Sequence, residues 1–142
     1  MYKVIDVCEY ILEYCQTREI GISNLKLQKI LYFIQAEFLV AKDTPCFKEE
    51  IVAWGFGPAV PAAYYEYRVF GSTLIPNYIH KEKKNILTVQ DKEIINEILE
   101  RTINISDSYL CEITMSQDPW RNVYCNGLEV PISNASIKSY FS

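Results

Sequence analysis

The residue best suited to acid–base chemistry is the single histidine, His80, which lies in the polar segment HKEKKN. General acid–base and nucleophilic catalysis need a base held beside a partner group, and no second histidine is present to build such a pair. The motifs G-x-S-x-G, G-x-G-x-x-G and H-E-x-x-H and the Walker-type glycine loop are missing from the sequence. We therefore interpret His80 as a surface histidine in a solvated loop.

Two other segments contain groups that could act on a substrate. Gly55-Phe56-Gly57-Pro58 has two closely spaced glycines, but the proline removes an N–H that a phosphate cradle would use. Glu49 and Glu50 are neighbours in an extended segment, so their carboxylates would point to opposite sides and could not share a substrate. We expect no phosphate site here, and we expect both glutamates to be half exposed.

The cysteines are odd in number and form no C-x-x-C pair, which favours buried, reduced thiols over a disulfide framework or a zinc site. They are Cys8, Cys15, Cys46, Cys111 and Cys125. The sequence therefore predicts a protein with no metal, no cofactor and no enzymatic activity.

Length and composition are those of one globular domain spanning residues 1–142, with 49% hydrophobic and 23% charged residues. The net charge of −4 and the pI near 5.0 oppose nonspecific attraction to nucleic acid, so they favour a protein partner. Charged or polar residues interrupt every apolar run before about 18 residues, so no segment is expected to span a membrane. The start of the chain opens directly into a helical pattern, and we expect a cytoplasmic protein.

Two long helices are predicted at the beginning of the chain. Apolar residues recur at spacings of three and four from Val4 to Cys15, the pattern of an amphipathic helix. Ser23 is a suitable N-cap for a second helix that begins near Asn24. The apolar face of this helix extends to Leu39 and is too broad for a surface helix, which predicts a position at the centre of the core.

The rest of the chain mixes extended segments with shorter helices. Residues 48–54 predict a strand, and residues 62–70 predict a helix that starts after Pro58 or Pro61 and stops at Gly71. One or two short strands, TLIP and ILTV, are expected on either side of HKEKKN. The remaining helices are predicted to start at the caps Thr88, Ser106, Asp118 (with Pro119 at the first helical position) and Ser133. The predicted fold class is mainly α (α+β): a single compact helical domain with a small antiparallel sheet or hairpin.

The stretch AWGFGPAVPAAYYEY, residues 53–67, is unusually rich in aromatic residues, glycine and proline. We interpret it as a rigid turn from an extended segment into a helix, with Trp54 and Val60 buried. Neighbouring helix positions point about 100° apart, so some of Tyr64, Tyr65 and Tyr67 must face outward. Tyrosine is enriched at protein interfaces, which makes an exposed one a candidate contact. The alternative, that all these aromatic side chains fill the core, stays open.

The polar residues of the second helix allow two interpretations. Lys26, Gln28 and Lys29 belong either to a solvated helix face or to a partner contact. The first two helices also fit a helix-turn-helix, in which Asn24 and these three residues would face the DNA major groove. The broad apolar surface of the second helix and the small number of basic residues argue against this alternative.

Four segments resemble, in the same order, the Panacea domain family of bacteria and prophages, which includes phage-associated proteins of the GepA type. They are SNLKLQKILYFIQAEFL, EEIVAWGFGPAVPAAYYEY, DPW and IKSYF. The specific pieces are LKLQKILY and the arrangement W-x-x-G-P-x-V-P, and the resemblance covers most of the chain. The structural motif residues that it marks are Trp54, Gly57, Pro58, Val60, Pro61 and Pro119.

This resemblance implies an antitoxin that neutralises a toxin protein, without enzymatic activity. A SocA-like branch of the family implies a proteolytic adaptor that delivers the toxin to a AAA+ protease. Family members usually carry a Thr-His pair before the Pro-Trp, whereas Thr114 is followed here by Met115, so a role that needs that histidine is not expected. The candidate partner contacts are Lys26, Gln28, Lys29, Tyr32, Tyr64, Tyr65, Tyr67 and Trp120.

Overall fold

The computed structural model describes residues 1–76 and 86–142, which form α-helices around one small antiparallel sheet. The elements are, in chain order, α1 (Val4–Thr17), α2 (Asn24–Lys42), β1 (Ile51–Trp54), β2 (Gly57–Ala59), α3 (Pro61–Tyr67), a 3-10 turn (Arg68–Phe70), α4 (Val89–Thr102), α5 (Asp107–Met115), α6 (Asp118–Arg121), β3 (Val130–Ile132) and α7 (Asn134–Phe141). This architecture confirms the predicted fold class. The segment HKEKKN, with His80, lies outside the described residues.

Helix α2 is the centre of the fold, as its broad apolar face predicts. It packs against α3, α4, α5, α7 and β2, and Leu27, Ile30 and Leu31 are fully buried. The Ser23 hydroxyl accepts a hydrogen bond from the Lys26 N–H at 3.1 Å, which confirms the predicted N-cap. Of the elements that carry the site described below, α3, α5 and β2 pack directly against this helix.

The sheet is small and has β1 in the middle, with β2 and β3 on its two sides. Trp54 pairs with Gly57, so β1 and β2 form a hairpin closed by Gly55 and Phe56. Strand β3, which the sequence did not predict, pairs Pro131 with Val52. A proline in an edge strand removes no hydrogen bond from the interior of a sheet, which explains how a strand forms there.

The two short strands predicted at TLIP and ILTV are wrong. Leu74 forms only an isolated bridge with Ser23. In ILTV, the Thr88 hydroxyl accepts a hydrogen bond from the Asp91 N–H at 3.2 Å, and Val89 is already the first residue of α4. The local cap therefore overrides the β-branched composition of this segment.

Predicted caps account for most helix starts. Ser106 and Ser133 cap α5 and α7 through hydrogen bonds to the N–H groups of Tyr109 and Ser136. Asp118 is not a cap, because the Arg121 N–H bonds to the Gln117 carbonyl at 3.0 Å. Helix α6 therefore begins one residue earlier than predicted, with Pro119 in its second position.

Predictions about thiols and carboxylates were correct with two exceptions, Cys125 and Glu50. Four of the five cysteines are buried, but Cys125 is exposed, because it lies in the irregular segment between α6 and β3. Glu49 is partly buried and accepts a hydrogen bond from the Val4 N–H at 3.0 Å, whereas Glu50 is exposed. None of the helices in the described ranges combines the length and apolar character needed to cross a membrane.

Candidate functional site

The β1–β2 hairpin is held at an unusually close distance to two helices. Gly57 has a φ of +112°, a conformation that residues with a side chain rarely adopt. A Cβ atom at this position would lie 2.9 Å from Thr114 Oγ1 and 3.0 Å from Lys29 Cε. Only glycine therefore allows the hairpin to lie directly on α2 and α5.

Four rings at the hairpin tip and on α3 form what we call the aromatic surface: Trp54, Phe56, Tyr64 and Tyr65. The Trp54 ring centroid lies 5.7 Å from Phe56, 5.0 Å from Tyr64 and 6.1 Å from Tyr65. Tyr65 is 51% exposed and the other three rings are half-buried. These rings present contiguous apolar area to solvent at one place on the molecule, which is a feature of protein-binding sites.

A second aromatic pair fixes the hairpin from the side. Trp120 on α6 stacks on Tyr124, with ring centroids 4.4 Å apart. The Trp120 indole N–H donates to the Trp54 carbonyl at 2.8 Å, and the Trp54 indole N–H donates to Glu129 Oε1 at 3.2 Å. Both indoles are therefore oriented by hydrogen bonds. The Trp54 side chain is half-buried, whereas the sequence predicted a buried one.

Beneath the aromatic surface, polar side chains of α2 bind the backbone of the hairpin and of α3. Gln28 Oε1 accepts from the Val60 N–H at 2.9 Å, and Gln28 Nε2 donates to Asn24 Oδ1 at 2.9 Å. Asn24 Nδ2 in turn donates to the Tyr64 carbonyl at 3.0 Å. This chain of hydrogen bonds fixes the start of α3, where Val60 is the N-cap residue and Pro61 the first residue of the helix.

Lys29 completes this layer. Its ammonium donates to the Pro58 carbonyl at 2.9 Å and lies 4.6 Å from the Phe56 ring centroid. The residue is fully buried, and desolvation lowers the pKa of its side chain to about 8. The ammonium stays mostly protonated at pH 7, so the hairpin rests on a buried positive charge.

Two further polar residues of α2 bind other segments. Tyr32 donates to Gln117 Oε1 at 2.8 Å, which fixes the residue before α6, and burial raises the pKa of its phenol well above the usual range. Lys26 donates to the Ile103 carbonyl at 2.8 Å at the end of α4. Helix α2 therefore positions the elements around it with polar side chains as well as with apolar packing.

The structure divides the predicted contact residues into two groups. Tyr64, Tyr65 and Trp120 lie at the surface, where their role as partner contacts stays a prediction. The other five are buried and are not exposed to a partner in this conformation: Lys26, Gln28, Lys29, Tyr32 and Tyr67. The solvated-face alternative, which concerned the first three, is therefore wrong. Gln28, Lys29 and Tyr32 form hydrogen bonds to segments that are distant in the sequence, which helical periodicity cannot show.

Burial also removes the basis of the DNA-binding alternative. Asn24, Lys26, Gln28 and Lys29 would have to reach base edges in the major groove, but each is at least nine-tenths buried. The helix expected to enter the groove is the one that the rest of the fold surrounds.

Sequence reasoning missed Phe56, Tyr124 and Arg68 as members or neighbours of the surface. Phe56 lies in the aromatic stretch of residues 53–67, but the segment Gly55-Phe56-Gly57-Pro58 was interpreted only as a possible phosphate site. The Arg68 guanidinium lies 5.1 Å from the Tyr65 ring centroid, one helical turn along, a spacing that could have indicated the pair. Nothing in the sequence indicated that Tyr124 would lie beside the hairpin.

The motif residues have structural roles. Pro58, Val60 and Pro119 are buried, and Pro58 supplies the carbonyl bound by Lys29. Thr114, which precedes the departure from the family pattern, bonds to the Leu110 and Cys111 carbonyls and faces Gly57. Met115 is half-buried. In the described residues, no group of three or more His, Cys, Asp or Glu side chains could hold a metal ion.

Comparison with known proteins gives two matches to this chain. Residues 27–121 match the protein family described as "Antitoxin SocA-like, Panacea domain". Antitoxin SocA of Caulobacter vibrioides (strain NA1000 / CB15N) is 35% identical over 136 residues, which covers 85% of this chain and 69% of that protein. No solved structure matches the chain. The matched region contains most of α2 and all of the hairpin, α3 and α6, so it includes the four rings of the aromatic surface and Trp120.

Proposed function

The chain belongs to the antitoxin SocA-like, Panacea domain family, and from this premise we propose that it is an antitoxin that neutralises a cognate toxin protein by binding it directly. The observation that carries the proposal is the aromatic surface, because it is the part of the matched region with clustered, outward-facing rings. We propose that the toxin contacts Tyr64 and Tyr65 at its centre and Trp120 at its edge.

The physical properties of this surface suit tight binding. Tyrosine and tryptophan supply large contact areas at a low cost in side-chain entropy. Here the two indoles are already fixed by hydrogen bonds to Glu129 and to the Trp54 carbonyl. Rings that are ordered before binding lose less conformational freedom when the partner arrives.

Family membership favours binding over catalysis, and the acidic composition favours a protein partner over nucleic acid. We propose that the protein acts in the cytoplasm, where its toxin is made. In this account, neutralisation depends on stoichiometric complex formation and not on turnover of a substrate.

The proposal has two versions that require the same contact. In the first, the antitoxin occludes the toxin. In the second, it is a proteolytic adaptor that also delivers the toxin to a AAA+ protease. The amount of toxin in cells separates them: it stays constant with occlusion, and it falls in a protease-dependent way with delivery.

The test is co-expression of the protein with the product of the adjacent gene. We expect that product to arrest growth when expressed alone, growth to recover when both are expressed, and the two proteins to purify as a complex. A neighbour that is toxic but is neither bound nor neutralised would contradict the proposal.

A further inference from the structure

The charge of Lys29 has no carboxylate partner. Its ammonium bonds to one neutral group, the Pro58 carbonyl, and faces the Phe56 ring. Among the described residues, no Asp or Glu oxygen lies within 4.0 Å of it. The nearby titratable group is Cys111 on α5, and burial raises the pKa of that thiol, so it stays neutral at pH 7.

An ammonium has three N–H donors, and a fully buried one is costly unless they are paired. One carbonyl and one ring face leave much of this cost uncompensated. A carboxylate placed beside Lys29 would form a charge-assisted hydrogen bond, which is about twice as strong as a neutral one.

The Phe56 ring covers the Lys29 ammonium on the side that faces the aromatic surface. This ring lies against the ammonium and is itself only half-buried, whereas Gly57 and Pro58 are buried. Of these three residues, Phe56 is therefore the one whose side chain reaches the surface.

A second unpaired cation lies beside the same rings. Arg68 is exposed and contacts the Tyr65 ring, and no described carboxylate lies within 4.0 Å of it. The Glu129 carboxylate at the edge of the surface is bound to the Trp54 indole N–H. Two positive charges without a described carboxylate partner, one beneath the aromatic surface and one beside it, therefore lie close to these rings on a protein whose net charge is −4.

We infer that Lys29 is the cationic half of a carboxylate-binding site at the centre of the aromatic surface, and that the toxin supplies an acidic side chain to it. This inference rests on the proposed antitoxin function. The Phe56 ring moves aside when the acidic side chain enters, and Arg68 attracts it at the edge. An ion pair that is enclosed by aromatic rings and shielded from water has the character of a binding hot spot.

The site gives specificity as well as affinity. A toxin surface with a neutral residue at this position would leave the Lys29 charge buried and unpaired in the complex, so such a partner is disfavoured. The acidic antitoxin repels acidic proteins in general, and this site selects the one that places its carboxylate correctly.

The site is tested without the toxin by using benzoate and its neutral counterpart benzamide as probes of the purified protein. We expect benzoate to bind at least about tenfold more tightly than benzamide at pH 7, and the pKa of Lys29, followed by NMR of its side chain, to rise by about one unit or more in benzoate. The benzoate affinity should fall as the pH rises above 8, because only the protonated lysine attracts the carboxylate. Equal binding of both probes, or an unchanged Lys29 pKa, would overturn the inference.

Two variants and one control show which residues cause the preference for benzoate. Lys29→Met removes the charge, keeps most of the length of the side chain and should lose the preference for benzoate, whereas Lys48→Met, at an exposed position, should keep it. Phe56→Ala leaves Lys29 in place and uncovers it, so benzoate should bind this variant several-fold more tightly. An unchanged benzoate affinity in Phe56→Ala would overturn the inference even if Lys29→Met did not fold.

Measurements with the toxin separate this inference from the function on which it rests. If Lys29→Met binds the toxin as tightly as the natural protein does, the carboxylate site is wrong and the antitoxin function stands. If the natural protein does not bind the toxin, the antitoxin function fails, and the benzoate experiment still decides whether the carboxylate site exists.

Discussion

Gly57 is the residue on which the position of the hairpin depends most directly. An alanine there would combine an unfavourable φ of +112° with contacts of 2.9 Å to Thr114 and 3.0 Å to Lys29. The backbone conformation costs about 1–3 kcal/mol and overpacking costs about 1–3 kcal/mol more. We expect Gly57→Ala to lower the free energy of unfolding in urea by at least about 2 kcal/mol.

The matched control is Gly127→Ala. Gly127 also has a positive φ, +82°, but a Cβ atom there has no neighbour within 4 Å. This variant should lose only the backbone contribution, about 1 kcal/mol. Equal losses in the two variants would show that the close approach to α2 and α5 does not constrain Gly57.

Lys29 is predicted to make stability depend on pH in the alkaline range. The pKa of its side chain is about 8 in the fold against an ordinary value of 10.5, so the unfolded chain binds more protons between these values. The free energy of unfolding therefore gains a contribution that rises between pH 8 and pH 10.5, by up to about 3 kcal/mol.

The measurement is the difference in unfolding free energy between the natural protein and Lys29→Met at several pH values. Because both proteins contain the same tyrosines and cysteines, the pH dependence of this difference reports the contribution of Lys29 alone. It should shift in favour of the natural protein as the pH rises above 8. A difference that is constant from pH 7 to pH 10 would contradict the buried, uncompensated charge.

At the residue scale, the sequence identified the polar side chains of α2 as important but did not reveal their environments. Gln28 and Lys29 were expected at the surface, on a solvated helix face or in a partner contact, because long polar side chains are usually exposed. Their partners, the Val60 N–H and the Pro58 carbonyl, are backbone groups about thirty positions away, and no local spacing reveals them.

Among the elements, α2 combines the roles of core helix and scaffold. Gln28 is the polar residue of α2 that fixes the start of α3, because it joins the Val60 N–H to the Asn24 side chain. Gln28→Ala would leave the buried Val60 N–H without a partner, which costs about 1–3 kcal/mol before any cavity is counted. We expect a loss of at least about 2 kcal/mol in unfolding free energy and faster hydrogen exchange at Val60 and Tyr64.

Gln90→Ala provides the control for this element. Gln90 is an exposed residue in the first turn of α4, so its removal should change stability by no more than about 0.5 kcal/mol. If Gln28→Ala were as stable as Gln90→Ala, the polar contacts of α2 would not be what holds α3.

Helices were more predictable than strands because their signals are local. Ser23, Thr88, Ser106 and Ser133 each accept a hydrogen bond from the N–H three residues later, and each cap could be read from the sequence. Strand β3 has three residues, one of them Pro131, and depends on pairing with the distant β1. Such a strand has no periodicity of its own that could be recognised.

At the scale of the whole molecule, the aromatic surface joins segments that are far apart in the sequence. Trp54 meets Tyr64 and Tyr65 through the hairpin, and it meets Trp120 only because α6 returns to the same side of the fold. Aromatic composition made an exposed tyrosine among residues 53–67 a candidate contact and left a filled core as the alternative. It could not predict the contribution of α6, because that contact depends on the packing of α6 against α5 and α7.

The central claim is that the toxin binds to this surface, and the most direct test is the dissociation constant of the toxin complex for three proteins. They are the natural antitoxin, Tyr65→Ala and Tyr109→Ala, measured by calorimetry. Tyr65 and Tyr109 are comparably exposed, 51% and 56%, but only Tyr65 belongs to the aromatic surface. Both variants should fold with nearly natural stability.

We predict that Tyr65→Ala weakens toxin binding by at least about tenfold, which corresponds to about 1.4 kcal/mol, and that Tyr109→Ala leaves it unchanged. Binding by Tyr65→Ala that is as tight as that of the natural protein, or a loss confined to Tyr109→Ala, would contradict the assignment of the aromatic surface as the toxin-binding site.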